Sequence, residues 1–344
     1  MNTMEKKQAE KVLIVGAGGF MGSYFVEEGL RRGMEVWAGV RKSTSREYLK
    51  DERLKFVVFD FDDEASVRKT IAGNKPEGGW DYIIYNLGAT KCVRFSDFAR
   101  INHTYLRTFL EAIKAEEAVP RKFLYMSSLS VMGKGDEKGY TPFRDTDIPH
   151  PDTRYGTSKL KAEMELVMSG IPYIIFRPTG IYGPRDKDYF LMLESLEKNF
   201  NFGAGYRRQQ LTFIYGEDLA KAAYDALEKA PVGNTYLLSE PRSYSQKEYR
   251  KLAAQALGKK HYMNVVVPLW GVKIVSAIAG KIGVAKGKPS TLNSDKYNIM
   301  RQRNWQVDIS AAERDFGFHA DTSLAEGLRE SVEWYRKAGW LKGN

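Results

Sequence analysis

The chain has 344 residues, 43% of them apolar, enough to bury a large core, so it is neither a disordered chain nor a scaffold that depends on staples. A single cysteine, Cys92, excludes an internal disulfide, and the four histidines at 103, 150, 261 and 319 lack metal-ligand spacing, so no metal site is expected. The net charge of +10 arises from basic residues interspersed with 43 acidic ones rather than from a long basic block; with no apolar leader segment and no apolar run of about 20 residues, the expectation is a cytoplasmic protein with no nucleic-acid partner and no membrane span.

The first predicted element is Val12-Leu13-Ile14-Val15, a buried strand that enters Gly16-Ala17-Gly18-Gly19-Phe20-Met21-Gly22 before a helical stretch to Arg32. Glycines at 16, 19 and 22 permit a tight turn, bring backbone N–H groups close to a pyrophosphate and let the helix pack on the strand. Strand, glycines and helix together predict a dinucleotide site over Gly16, Gly18, Gly19, Phe20, Met21 and Gly22. A second strand, Val36 to Val40, runs into Arg41 and Lys42. An acidic residue here would hold the ribose 2′-hydroxyl of NAD, whereas an arginine accommodates a 2′-phosphate, so Arg41 points to NADP, with NAD as the alternative. A third strand, Phe56 to Phe59, ends at Asp60, placed to touch the adenine edge, with Phe61 beside it.

A helical pattern over Glu64 to Ala72 leads to the strand Tyr82 to Tyr85, whose exit through Leu87, Gly88 and Ala89 has the small residues that a cofactor crevice favours. A helix over Ala99 to Glu116 carries Asn102, and the strand Lys122 to Met126 ends at Ser127 and Ser128. A turn region rich in Gly, Asp and Pro, 133 to 153, precedes a helix over Tyr155 to Met168 and a strand over Tyr173 to Phe176. This alternation predicts an α/β fold with a parallel doubly wound sheet. Tyr155 and Lys159 stand four apart on their helix and so share one face. Bringing a tyrosine from about 10 to near 7 needs roughly 4 kcal/mol of preference for the phenolate, much of which a nearby ammonium can supply.

In this order the motifs resemble those of the extended short-chain dehydrogenases/reductases, the family of nucleotide-sugar epimerases and 3β-hydroxysteroid dehydrogenases. The resemblance rests on Gly16 to Gly22, the Asp60 turn, Tyr85-Asn86-Leu87-Gly88-Ala89, Asn102, Met126-Ser127-Ser128 and Tyr155 to Lys159. It continues through Arg177-Pro178-Thr179-Gly180-Ile181-Tyr182-Gly183-Pro184 and Phe213 to Ala220, and matches extend from about Lys11 to Leu341. It implies a Rossmann-type domain over 1–182, with 209–240 returning to it, and a smaller C-terminal α/β substrate-binding region over 183–208 and 241–344. By the same resemblance Tyr155 is the acid/base, Lys159 favours the tyrosinate and bonds the nicotinamide ribose, and Ser128 rather than Ser127 supplies a second hydroxyl. Pro178, Thr179 and Ile181 would pass beside the nicotinamide; Asn102 reads either as a cofactor-site residue or as the holder of a helix kink. The family pattern also implies a homodimer through a helix bundle that includes the Tyr155 helix.

Departures from the family's subgroups bear on the substrate. Nucleotide-sugar members usually have an asparagine where this chain has Gly180, and often an arginine where it has Leu211, although Arg207 and Arg208 could serve through a shifted loop. Leu129-Ser130 lacks the acidic pair of the 4,6-dehydratases, and the 177–186 stretch resembles the steroid dehydrogenase and dihydroflavonol reductase branch. The apolar segment Pro268 to Ile278 reads as a packed helix of the substrate region, a wall of an apolar pocket, or a rest on a membrane surface. The expected function is NADP-dependent interconversion of a small-molecule secondary alcohol and a carbonyl. Nucleotide-sugar epimerisation with tightly held NAD(P), and a sensor that binds NADP without turnover, are the alternatives.

Overall fold

Apolar runs too short for helices form the main sheet: β1 (Lys11–Val15), β2 (Glu35–Val40), β3 (Lys55–Val58), β4 (Tyr82–Tyr85), β5 (Lys122–Met126), β6 (Tyr173–Pro178) and β7 (Asn234–Leu238). The structure, a computed structural model, describes residues 9–288, 290 and 292–342. All seven strands are parallel, in the order β7-β6-β5-β4-β1-β2-β3, with Leu13 opposite Trp37 on one side and Ile83 on the other. Every residue of β4, and of β1 after Lys11, is buried. Helices on both faces explain why these strands are unbroken apolar runs rather than alternating ones.

The helices between strands are α1 (Phe20–Arg31), α2 (Glu64–Asn74), α3 (Tyr105–Ala115), α4 (Arg154–Met168) and α5 (Gly216–Lys229). The helix predicted over 99–116 is instead a short helix at Phe95–Ala99, a π-helical turn at Arg100–Thr104, and then α3. Strand order reverses between β1 and β4, and a crevice opens there beyond their carboxyl ends, where doubly wound sheets bind ligands.

A second core, rich in aromatic residues, lies outside this sheet and joins Tyr182, Phe213, Tyr244, Tyr249 and Tyr335. Three small pairings organise it: Gly180–Tyr182 with Phe213–Tyr215, Gln210–Leu211 with Tyr244–Ser245, and Phe200–Ala204 with Met263–Val267. Four helices follow: α6 (Leu269–Ala285), α7 (Ser294–Arg301), α8 (Ser310–Phe316) and α9 (Leu324–Lys337). Helix α8 departs from the expected division, because Phe316 stacks on Phe176 of β6 at 5.9 Å and Ala311 and Ala312 join the main-sheet core. This part of 241–344 packs with the dinucleotide half. Helix α6 buries only Val272, Ser276 and Gly283, so the apolar segment read from sequence packs along one narrow side and leaves its other side open.

Candidate active site

The chain leaves β1 through Gly16, whose φ of +91° favours glycine and whose added Cβ would lie 3.0 Å from the Leu87 backbone nitrogen. Gly16 and Ala17 donate to the Gly39 carbonyl at 2.9 and 3.1 Å, tying the turn to β2. At Gly22 a Cβ would fall 2.2 Å from the Gly16 oxygen, so the first turn of α1 sits directly on the loop. At Gly18 it would meet the Thr44 methyl at 2.1 Å, which brings the loop after Arg41 over the glycine turn. Phe20 is half-buried and Met21 buried, both against the main core. Gly19 is the exposed residue that opens α1.

Tyr155 stands on the first turn of α4, which Thr153 caps through its hydroxyl, 2.9 Å from Gly156 N. Asp295 of α7 accepts the Tyr155 N–H at 3.1 Å, so the C-terminal region fixes the same turn. A Cβ on Gly156 would lie 2.3 Å from the Ser130 carbonyl oxygen; its absence lets α4 approach the turn that carries Ser128. Ser128, whose hydroxyl draws the Tyr155 phenol's pKa down, donates to Ser130 Oγ at 3.2 Å, while Ser127 gives its hydroxyl to buried Glu163. Ser127 is thereby committed to the acidic side chain behind the lysine.

Lys159 is 3% exposed and donates to the Met126 carbonyl at 2.7 Å, with its ammonium 4.7 Å from the Tyr125 ring centre. Burial pushes Tyr155 up to about 12, opposed by the Ser128 hydrogen bond, and pulls Lys159 down to about 8, opposed by Glu163. The pull of Lys159 on the tyrosine that the sequence suggests is therefore not the leading influence here. Its ammonium is drawn to a strand-end carbonyl instead.

Behind the lysine, Glu163 binds Arg177 through two oxygens at 2.6 and 3.1 Å, and both side chains are almost fully buried. Removing one partner strands the other charge in the interior. Glu163→Gln is expected to lower the unfolding free energy by about 3–5 kcal/mol in urea titration. It should also move the alkaline limb of the pH–rate profile to lower pH, because Glu163 raises the pKa of Lys159 and activity that needs the cation is lost as pH rises through that value.

Gly88 and Ala89 lie at the β4 exit: a Cβ on Gly88 would meet Lys159 Nζ at 3.1 Å and Asn102 Oδ1 at 3.2 Å. Half-buried Leu87 packs on the α3 side of the sheet. Asn102 sits on the π-helical turn with no exposed surface; it accepts from Ala89 N at 2.7 Å and donates to Ala89 O at 3.1 Å and Ser158 Oγ at 2.9 Å. Its amide braces the β4 exit against α4. The Phe61 ring is likewise committed, stacked on Tyr105 at 5.4 Å in the core, so only its main chain can border the crevice. Asp60 is exposed and accepts from Asp62 N at 3.1 Å, and Arg41 is exposed at the β2 end.

Pro178 ends β6 opposite Leu238, and Thr179 donates its N–H to the Leu238 carbonyl at 3.0 Å. The Thr179 hydroxyl is buried and has no partner among the described residues. Ile181 is half-buried and shares the main core with Phe20. The glycine cradle, the bare Cα of Gly88 beside Lys159 and the unpaired Thr179 hydroxyl fit a nicotinamide dinucleotide held by Gly16 to Gly22, Leu87 to Ala89, Lys159 and Thr179.

Two features were not legible in the sequence. A Cβ on Gly180 would lie 2.0 Å from the Tyr189 hydroxyl, so Tyr189 occupies the space where an asparagine side chain would stand. Asp186 holds that tyrosine's turn by accepting its N–H at 2.7 Å. Leu211 pairs with Tyr244 in a two-residue strand, and Arg207 and Arg208 are exposed. No sequence signal marks Tyr189 or Asp295, which reach the site only through tertiary packing.

The model of the NAD dependent epimerase/dehydratase family matches residues 12–239. The chain is 25% identical to a UDP-glucose 4-epimerase of Vibrio cholerae over 98% of its own length and 99% of the relative's. A ceramide reductase of Caulobacter vibrioides is 24% identical over 97% and 96% of the two lengths. Among solved structures, the dTDP-glucose 4,6-dehydratase of Bacillus anthracis in complex with NAD superposes with a TM-score of 0.76 at 20% identity, covering 97% of this chain and 99% of that one. That likeness is one of fold.

Proposed function

The chain belongs to the NAD-dependent epimerase/dehydratase family of extended short-chain dehydrogenases/reductases, and from that premise we propose that it interconverts a secondary alcohol and a ketone on an apolar substrate. The observation that carries this reading is the Tyr189 hydroxyl in the side-chain space of Gly180. An orienting amide is missing at Gly180 and an anion clamp at Leu211, and both would serve a sugar diphosphate. The ceramide reductase relative, named for a lipid substrate, agrees with this choice.

A nicotinamide bound in the crevice supplies or takes up the hydride. In the direction of reduction, Tyr155 gives its phenolic proton to the substrate oxygen as the carbonyl carbon gains the hydride, and Ser128 hydrogen-bonds the same oxygen. Lys159, buried one helical turn from Tyr155 and held by the Met126 carbonyl, keeps a positive charge in the site as the phenolic proton leaves. Oxidation runs through the same groups in reverse.

Arg41 supports NADP as the carrier, since it is exposed at the β2 end and no carboxylate stands in its place. Arg41→Ala is expected to weaken NADP roughly tenfold or more while leaving NAD nearly unchanged, with a smaller effect at high salt. Equilibrium titration of both nucleotides checks this, and equal losses would remove the 2′-phosphate assignment. Exposed Met164, Val167 and Met168 on α4 support a homodimer through that helix.

Nucleotide-sugar epimerisation is the second reading, favoured by the Vibrio relative. The non-catalytic sensor is disfavoured because Ser128, Tyr155 and Lys159 are all retained. Purified enzyme incubated with reduced cofactor and long-chain or polycyclic ketones, in parallel with UDP-sugars, separates the readings by absorbance at the nicotinamide band. Net cofactor oxidation with a ketone supports the proposal. Sugar product without net cofactor change would replace it with the epimerase.

A further inference from the structure

The chain's positive charge is not spread evenly. Residues 198–216 and 249–294 together hold eleven basic residues and no acidic one, so the rest of the chain, with 42 basic and 43 acidic residues, is close to neutral. The same two stretches build one end of the second region: Phe200–Ala204 pairs with Met263–Val267, and α6 follows directly. Large apolar side chains there face outward. Trp270 is 71% exposed, Ile274 and Ile278 slightly more than half, Phe202 and Met263 60% each.

Positions 270, 274, 278 and 282 recur every four residues and form one broad stripe along α6, with Lys273 beside it and Lys281 interrupting it near its C-terminal end. Among the described residues no helix is long and apolar enough to cross a membrane. An apolar stripe accompanied by lysines on a helix that carries no acidic residue suits a helix lying in the plane of a bilayer, with the lysine stems in the apolar layer and the ammonium groups at anionic headgroups.

We infer that α6 and the strand pair Phe200–Ala204 and Met263–Val267 form a surface that docks on an anionic lipid bilayer. A second copy of the chain is the poorer occupant, because among the described residues only Lys198 and Lys259 of these eleven basic ones are paired, with Glu194 and Glu197, and an isologous contact would bring two predominantly basic faces together. The inner side of α6 adds an independent reason. Together with Cys92, Val93 and Phe95 it lines a mainly apolar cavity of about 480 Å³, and the Phe95 ring centre lies 3.3 Å from the guanidinium of Arg154, the residue before Tyr155. One helix thus separates the proposed lipid face from an apolar space close to the candidate catalytic tyrosine. Docking goes beyond the substrate assignment and does not depend on it, since vesicle binding requires no turnover.

The test is co-sedimentation of the full chain with phosphatidylcholine vesicles, with and without one third phosphatidylglycerol. Binding is expected to be at least about tenfold stronger with the anionic lipid and to weaken as salt rises. The triple variant Trp270→Glu, Ile274→Glu, Ile278→Glu and the double variant Lys273→Glu, Lys281→Glu should each lose at least about tenfold while keeping nicotinamide-nucleotide affinity, which reports an intact fold. Three results would overturn the inference: no sedimentation at low salt, equal binding to both vesicle types, or unchanged binding by both variants. Self-association of the wild type that the triple variant abolishes would assign the face to a second copy instead.

Discussion

Tyr155→Phe is expected to lower kcat/KM for carbonyl reduction by about 10²–10⁴-fold, the range contributed by a positioned general acid, with cofactor affinity little changed. The ring keeps its packing beside Phe98, at 6.3 Å between centres, so the loss isolates the hydroxyl. Ser128 cannot replace it, because a serine hydroxyl hydrogen-bonds the substrate oxygen without being acidic enough to give up its proton. The wild-type profile should fall above about pH 8, where Lys159 loses its charge, well before the phenol itself ionises near 12. Steady-state kinetics across pH check both statements. Full turnover by the phenylalanine variant would remove Tyr155 from the chemistry altogether.

The second large effect is at Gly22. An alanine Cβ there would lie 2.2 Å from the Gly16 oxygen and 2.7 Å from two backbone atoms of Ala17, none of which can swing aside as a side chain can. Accommodation requires lifting the start of α1 off the turn, which separates the backbone N–H groups that face a pyrophosphate. Gly22→Ala should therefore cost about 1–3 kcal/mol of stability and weaken nicotinamide-nucleotide binding by about tenfold or more. Gly19→Ala is the internal control. Its Cβ would meet only the Gly16 oxygen, at an ordinary 3.5 Å, so stability should change little, and any loss of nucleotide affinity would report the added methyl group against the cofactor rather than against the fold. Thermal melting and nucleotide titration on the two variants distinguish a requirement for close packing from a general preference for glycine.

The residues that the sequence brought forward differ in how they reach the site. Gly16 to Gly22 and the Tyr155–Lys159 pair are local patterns, set by one turn and one helix period, and the structure brings them to the same crevice with Gly88 and Ser128. Asn102 and Phe61 are side chains at the right place in the chain whose atoms are committed elsewhere, one to Ala89 and Ser158, the other to the Tyr105 ring. Glu163 had a usable signal, four residues beyond Lys159 and so on the same helix face. Its partner Arg177 lies on β6, and nothing in either position alone reveals the pair.

By itself the sequence determined the alternation of strands and helices, the glycine turn and the spacing of the acid/base pair, because these follow from the short-range periods of the backbone. Tertiary structure alone decided what fills the space beside Gly180, that Ser127 turns to Glu163, where the Lys159 ammonium points and which side of α6 stays open. Each of those outcomes depends on atoms far apart in the chain competing for one volume or one hydrogen-bond partner. Such competition is settled only when the elements pack.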